Sequence, residues 1–252
     1  MQSLNIGQTI SRASGLMGET LRSVGLFVVV FQMITGVSST LLRGQLVSAV
    51  DAGAAAPLAM FQSGSYWATI AISMLLATLV ATGATFGLLK ADRGELVSFG
   101  ACAARGTARL LPALGLMILS VLGIYGGFIL LLVPGCILLA MWSVCFPVLL
   151  GEDTGVIEAF GRSCALTKGY RWKIFLLFLV IFAVYAAVGA ARVLVLTAQT
   201  GSLAAAISPP LTLQIASGAI NTVLTLATLA LQVALYGELI DLKGERVSEV
   251  FG

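Results

Sequence analysis

A chain of 252 residues in which 59% are hydrophobic and 10% charged has too little polar surface to cover a water-soluble fold of its size. Its long apolar runs, such as the stretch "IFLLFLVIFAV" from Ile174 to Val184, do not alternate as barrel strands do, which leaves a polytopic α-helical membrane protein. With a formal charge of +3, no histidine and four cysteines that lack metal-ligand spacing, no metal, cofactor or nucleic-acid partner is expected, and the thiols are expected to be reduced.

The apolar runs lie at approximately 24–42, 66–89, 110–132, 135–151, 173–196 and 211–236. The expected fold is all-α, with six transmembrane helices in a single integral membrane domain covering 1–252. The first run follows Arg12, Glu19 and Arg22, and "LLRGQ" after it lacks a small-x-small cleavage site, so it reads as a retained span. Tyr66 and Trp67 open the second run and suit an interfacial aromatic belt.

The third and fourth runs form a hairpin. From Pro112 to Leu150 the chain has 39 residues, about 58 Å as helix, which suffices for two crossings of about 30 Å joined by a tight turn. Pro134 and Gly135 are the candidate turn, and Pro147, which frees the Ser143 carbonyl, is the candidate kink or hinge in the returning helix. A re-entrant hairpin has the same sidedness. Gly123 with Gly127, and Ala186, Gly189 and Ala190 in the fifth run, permit close helix packing.

Val156, Ile157, Phe160 and Cys164 make one apolar helical face before the fifth run, with Glu158, Arg162 and Lys168 elsewhere on the wheel. Such a helix lies in the headgroup layer or packs on the bundle with its charges solvated. Arg105, Arg109, Arg162, Lys168, Arg171, Trp172 and Lys173 are the candidate contacts to anionic lipid headgroups. Arg192 is the charge set well inside a run, on one face with Tyr185 and Gly189; it reads as an anchor snorkelling to the far interface, with a substrate or lipid site as the alternative. In the last run Gln214, Ser217, Asn221, Thr225, Thr228 and Gln232 follow one another at helical spacing and form a polar stripe. Hydrogen bonding to Gln32, Thr35 and Ser39 of the first run is one reading of it, and the wall of a polar pathway is the other.

Sidedness follows from the basic residues. Of the fourteen, twelve fall in segments on one side, leaving Arg43 and Arg192 for the other, so both termini are expected to be cytoplasmic. The two basic connectors also resemble each other: Asp92, Gly94, Phe99, Gly100 and Ala104 recur as Asp153, Gly155, Phe160, Gly161 and Ala165 at a constant offset of 61. With a looser counterpart at the N-terminus, this suggests three units, at 1–89, 90–151 and 152–236, each a cytoplasmic amphipathic helix followed by two spans, and a cytoplasmic tail at 237–252.

Material for catalysis is scarce. Every carboxylate but Asp51 lies in the cytoplasmic segments, and the pair Glu152-Asp153 suits the first turn of the next helix, where the macrodipole favours acids. No phosphate-binding loop or nucleophile elbow is present.

The matches at Val133-Pro134-Gly135, Trp142, Pro147, Glu152, Ala159, Arg162-Ser163, Leu166, Gly169, Arg171-Trp172 and Phe175 give the run from Val133 to Phe175 a pattern that resembles the membrane-domain family named after glycerophosphoryl diester phosphodiesterases, which includes YciC-like bacterial proteins. The resemblance implies a six-span bacterial inner-membrane protein. Some members are fused to a phosphodiesterase domain; none of these 252 residues reads as one, so no hydrolase activity is implied. The functional expectation is a non-enzymatic envelope or scaffold component that contacts anionic lipid, other membrane subunits or a second copy of itself. A transporter or lipid-translocating protein using the polar stripe is the alternative.

Overall fold

The computed structural model describes residues 4, 6–20, 24–34, 36, 64–95, 97–200 and 211–243. The described residues are helices and short connections, without a strand. In chain order they are α1 (Ile6–Thr20), α2 (24–34), α3 (Gly64–Asp92), α4 (Phe99–Ala108), α5 (Leu110–Leu130), α6 (Leu132–Met141), α7 (Cys145–Gly151), α8 (Val156–Thr167), α9 (Arg171–Thr200) and α10 (Leu211–Leu242). Among the described residues, five stretches are long and apolar enough to cross a bilayer: Gly64–Asp92, Leu110–Leu130, Val133–Gly151, Arg171–Val195 and Ala216–Leu242. The first apolar run is helical at 24–34 and continues beyond the described residues, so Thr35, Ser39, Arg43 and Asp51 fall outside them.

The helices do not share the core equally. About half of the apolar window is buried in α3, in the α6–α7 pair and in α10, but only 17% in α5 and 11% in α9. The buried positions also gather toward one end. In α3 they run from Thr78 to Leu89, in α10 they include Leu226, Leu229, Ala230, Val233 to Tyr236 and Leu239, and in α9 they are Ile174 and Leu177 in its first turns. The core therefore sits where the charged connectors meet the bundle.

Glycines set its closest approaches. A Cβ at Gly83 would lie 2.5 Å from the Phe27 ring and 2.9 Å from the Cys102 carbonyl; one at Gly87 would lie 2.5 Å from Val24 Cγ2 and 3.0 Å from Cys102 Sγ. This spacing of four along α3 admits α2 and α4 against its backbone. Gly123 and Gly127 act likewise in the α5–α6 hairpin: a Cβ at Gly123 would enter the Trp142 ring, and one at Gly127 would lie 2.9 Å from Leu138 and 3.0 Å from the Gly135 backbone. The corresponding set in α9 behaves differently, since Ala186, Gly189 and Ala190 are exposed and a Cβ at Gly189 meets nothing.

The hairpin turns at Leu131, whose backbone is extended (φ −164°, ψ 148°), three residues before Pro134. Pro134 and Gly135 occupy the first turn of α6 and not the turn itself, because a first-turn residue needs no intrahelical amide partner and proline fits there at no cost. Gly135 instead provides the close approach to Gly127 and Phe128. The α6–α7 break at Trp142–Val144 lies just upstream of Pro147, which has no amide to bond Ser143. The Cys145 amide shifts to the Trp142 carbonyl at 3.2 Å. Two hydroxyls cap the carbonyls left behind: Ser143 donates to Ala140 at 2.9 Å, and Ser163 of α8 donates to Met141 at 2.7 Å.

Candidate functional site

The polar chemistry of the described chain is concentrated at the packed end of the bundle. Three short helices cover that end, and each carries an arginine at its seventh residue: Arg12 in α1, Arg105 in α4 and Arg162 in α8. Each arginine reaches a carboxylate at the end of a helix from another part of the chain or just past it. Arg12 makes a bidentate pair with Asp92 at the end of α3 (2.7 Å from Nε to Oδ1 and 2.7 Å from Nη2 to Oδ2) and also reaches Asp241 of α10 at 3.1 Å. Its guanidinium lies against Gly237, where an added Cβ would stand 2.8 Å from Nη2. Burial works against the Arg12 charge, but the hydrogen bonds and charges of Asp92 and Asp241 outweigh it and leave the guanidinium more firmly protonated than usual.

The adjoining pair Glu152-Asp153, just past α7, divides between the other two arginines. Arg162 Nε donates to both Glu152 oxygens at 3.1 and 3.0 Å, and the buried Tyr236 hydroxyl of α10 donates to Glu152 at 3.1 Å. Asp153 takes Arg105, and Arg109 Nη2 at 2.6 Å. The hydrogen bond from Arg105, with the charges of Arg105 and Arg109, holds the Asp153 carboxyl below the ordinary aspartate range despite an opposing contribution from desolvation. Asp153 adopts φ +54°, a left-handed conformation that a short polar side chain tolerates. Neither acid lies in the first turn of α8, contrary to the macrodipole expectation; the turn aims them back at arginines.

Further contacts complete this face. Thr9 donates to Glu238 at 2.5 Å, Lys90 to Glu95 at 2.6 Å, Lys173 to the Leu4 carbonyl at 3.0 Å, and Lys243 to the Ala165 carbonyl. All four cysteines are free; Cys102 is buried beneath this face, and burial pushes its thiol up.

Residues 70–239 match the model of a family described as a domain of unknown function, DUF7847. The chain belongs to this family. The DUF7847 match runs from within α3 to near the end of α10, so it takes in Arg105, Glu152, Asp153, Arg162 and Tyr236 and leaves Arg12 outside. No curated protein and no solved structure matches the chain.

The sequence-based candidates separate in this setting. Arg105, Arg109 and Arg162 are held by carboxylates, and Lys173 by a backbone carbonyl, whereas Lys168 and Arg171 have no partner among the described residues. Trp172 is 72% exposed and stacks on Phe175. In α8 the buried face is Ala159, Ser163, Leu166 and Thr167; of the apolar set, Val156, Phe160 and Cys164 lie on its flank and Ile157 is exposed. The helix is thus packed on the bundle by its small and hydroxyl residues.

The polar stripe of α10 is half-buried at Ser217, Asn221, Thr225, Thr228 and Gln232; Gln214 is helical, with its side chain outside the described set. The face that enters the core is the adjacent one, through Thr222, Leu226, Leu229, Ala230 and Val233. Tyr185 of α9 and Thr228 share a hydrogen bond at 3.3 Å. A second hydroxyl column went unread in the sequence: Thr69, Ser73, Thr78 and Thr82 of α3 each donate to the carbonyl four residues back. Such back-bonding satisfies hydroxyls within the helix and makes no site.

Proposed function

We propose that this DUF7847 chain is a non-enzymatic, six-span scaffold or accessory protein of a bacterial inner membrane, with both termini and all three short helices on the cytoplasmic side. The observation that carries the reading is the placement of charge. Ionic groups from segments far apart in sequence collect over one packed end, while α5 and α9 present apolar faces along their length. A bilayer favours this arrangement, since carboxylates and guanidiniums remain at water and apolar surface meets acyl chains. Every carboxylate with a described side chain already accepts from a cation, a hydroxyl or a backbone amide, which suits a structural role better than acid–base chemistry.

Three units remain the best description of the architecture. Asp92 and Asp153, the repeat-related acids, each follow a hairpin and each receive the arginine of the short helix that precedes that hairpin. The lengths of α5 and of the stretch Val133–Gly151, 21 residues and 19 residues, favour a full crossing by the middle hairpin. Hydrogen bonding of Thr228 to Tyr185 favours a packing role for the stripe over a pathway.

Copurification from native membranes tests the role. A stoichiometric protein companion that persists through mild detergent supports the scaffold. Flux of a solute or lipid through vesicles holding the pure chain, lost in an Asn221→Leu/Thr225→Leu variant, would replace it with the transporter.

A further inference from the structure

The pairing of charges at the packed end leaves some cations over, and two of them stand three residues apart. The carboxylates there are engaged, and three of the candidate headgroup arginines are consumed in holding them. Lys168, exposed at the end of α8, and Arg171, half-buried at the start of α9, lack any partner among the described residues, and the Arg171 Nε is itself buried without an acceptor. Gly169 between them has φ +96°, a conformation open to glycine, and folds the two cations onto one short turn.

What lies below this turn has a distinct chemistry. Trp172 is 72% exposed, and one helical turn after another beneath it Leu176, Leu179 and Val180 are exposed at 39%, 48% and 60%. Positions 172, 176, 179 and 180 share a face of α9. Two uncompensated cations, an aromatic at the interface and an apolar face about 12 Å long descending from it match a phospholipid group by group.

We propose that the α8–α9 turn binds one anionic glycerophospholipid, its phosphate held by Lys168 and Arg171 and an acyl chain lying along Trp172, Leu176, Leu179 and Val180. The phosphate oxygens accept from the outer N–H groups of the Arg171 guanidinium, which has no acceptor among the described residues. This rests on the membrane reading above and goes beyond it in assigning the lipid class and the residues.

The test uses the full chain in nanodiscs of phosphatidylcholine with and without phosphatidylglycerol, followed by detergent extraction and native mass spectrometry of retained lipid. The wild-type chain is expected to retain phosphatidylglycerol over phosphatidylcholine. Lys168→Gln/Arg171→Gln is expected to weaken that retention roughly 30-fold, each interfacial cation contributing about fivefold. Arg105→Gln, whose cation is already matched by Asp153, is expected to change it less than about twofold. Equal retention of the two lipids, an unchanged double variant, a loss as large in Arg105→Gln, or displacement of the lipid by millimolar inorganic phosphate would each overturn the site. Recovery of the chain in carbonate-washed membranes is scored separately, so failure of the lipid site is distinguished from failure of the membrane reading.

Discussion

Replacing Ser163 by alanine tests the α6–α7 break at a single atom. The Ser163 side chain is fully buried, and its hydroxyl supplies the hydrogen bond that the Met141 carbonyl loses when the Cys145 amide shifts to Trp142. Losing the hydroxyl leaves a part-buried acceptor unmatched, a cost of about 1–3 kcal/mol where water does not replace it. Since Ser163→Ala removes one oxygen and little volume, packing loss adds little to this. Cys145, buried at the first residue of α7, reports opening of the same break. In a chain with the other three cysteines changed to alanine, and under conditions where reclosing outruns labelling, Ser163→Ala should raise the Cys145 labelling rate roughly 5- to 150-fold. A change of less than about twofold would refute the view that this hydroxyl stabilises the break.

Gly123→Ile should lower the thermal midpoint in detergent by overpacking against Trp142, at a cost of about 1–3 kcal/mol, whereas Gly126→Ala, which meets open space, should leave circular-dichroism melting nearly unchanged. Arg12→Gln leaves Asp92, whose side chain is only 7% exposed, without its guanidinium; the loss should reach at most about 3 kcal/mol because Arg12 itself keeps 25% exposure, and Asp92→Asn in the same chain should recover part of it. For Asp153, a folded carboxyl held low stabilises the fold above the unfolded aspartate value of about 3.9, and this stabilisation is lost as pH falls through the lower folded value. Acid unfolding followed by tryptophan fluorescence should therefore be less steep between pH 4 and the folded value in Asp153→Asn, which keeps the left-handed backbone accessible.

How much of this was legible beforehand depended on whether the signal was local. Helix positions follow from runs of apolar residues, and α3, α5, α9 and α10 coincide with those expected to within a few residues, although α10 continues to Leu242 and takes in the first part of the stretch expected as a tail. The break upstream of Pro147 follows from its missing amide. The hairpin turn did not, because proline and glycine suit a helix's first turn as well as a reverse turn, and only the packing of Gly127 on Gly135 distinguishes them. The arginine–carboxylate pairs join residues 80 and 48 apart in sequence, and nothing local announces them. Gly83 and Gly87 had a readable spacing, the same as that of Gly123 and Gly127, and went unread beside them. The expected face of α8 erred because hydrophobicity alone passes over Ala159 and Ser163, which are buried for their size and for one hydroxyl.

Sided thiol labelling tests the central claim most directly. In cysteine-free chain held in sealed inverted and right-side-out vesicles, single cysteines replacing Arg93 and Gly161, at the packed end, and Leu131 and Ala198, at the other, are exposed to an impermeant maleimide. One-sided charged elbows predict that positions 93 and 161 react from the same compartment, and that 131 and 198 react, if water reaches them, from the opposite one. Labelling of 93 and 161 from opposite compartments would contradict the topology and, with it, the assignment of the charged end to a single membrane face.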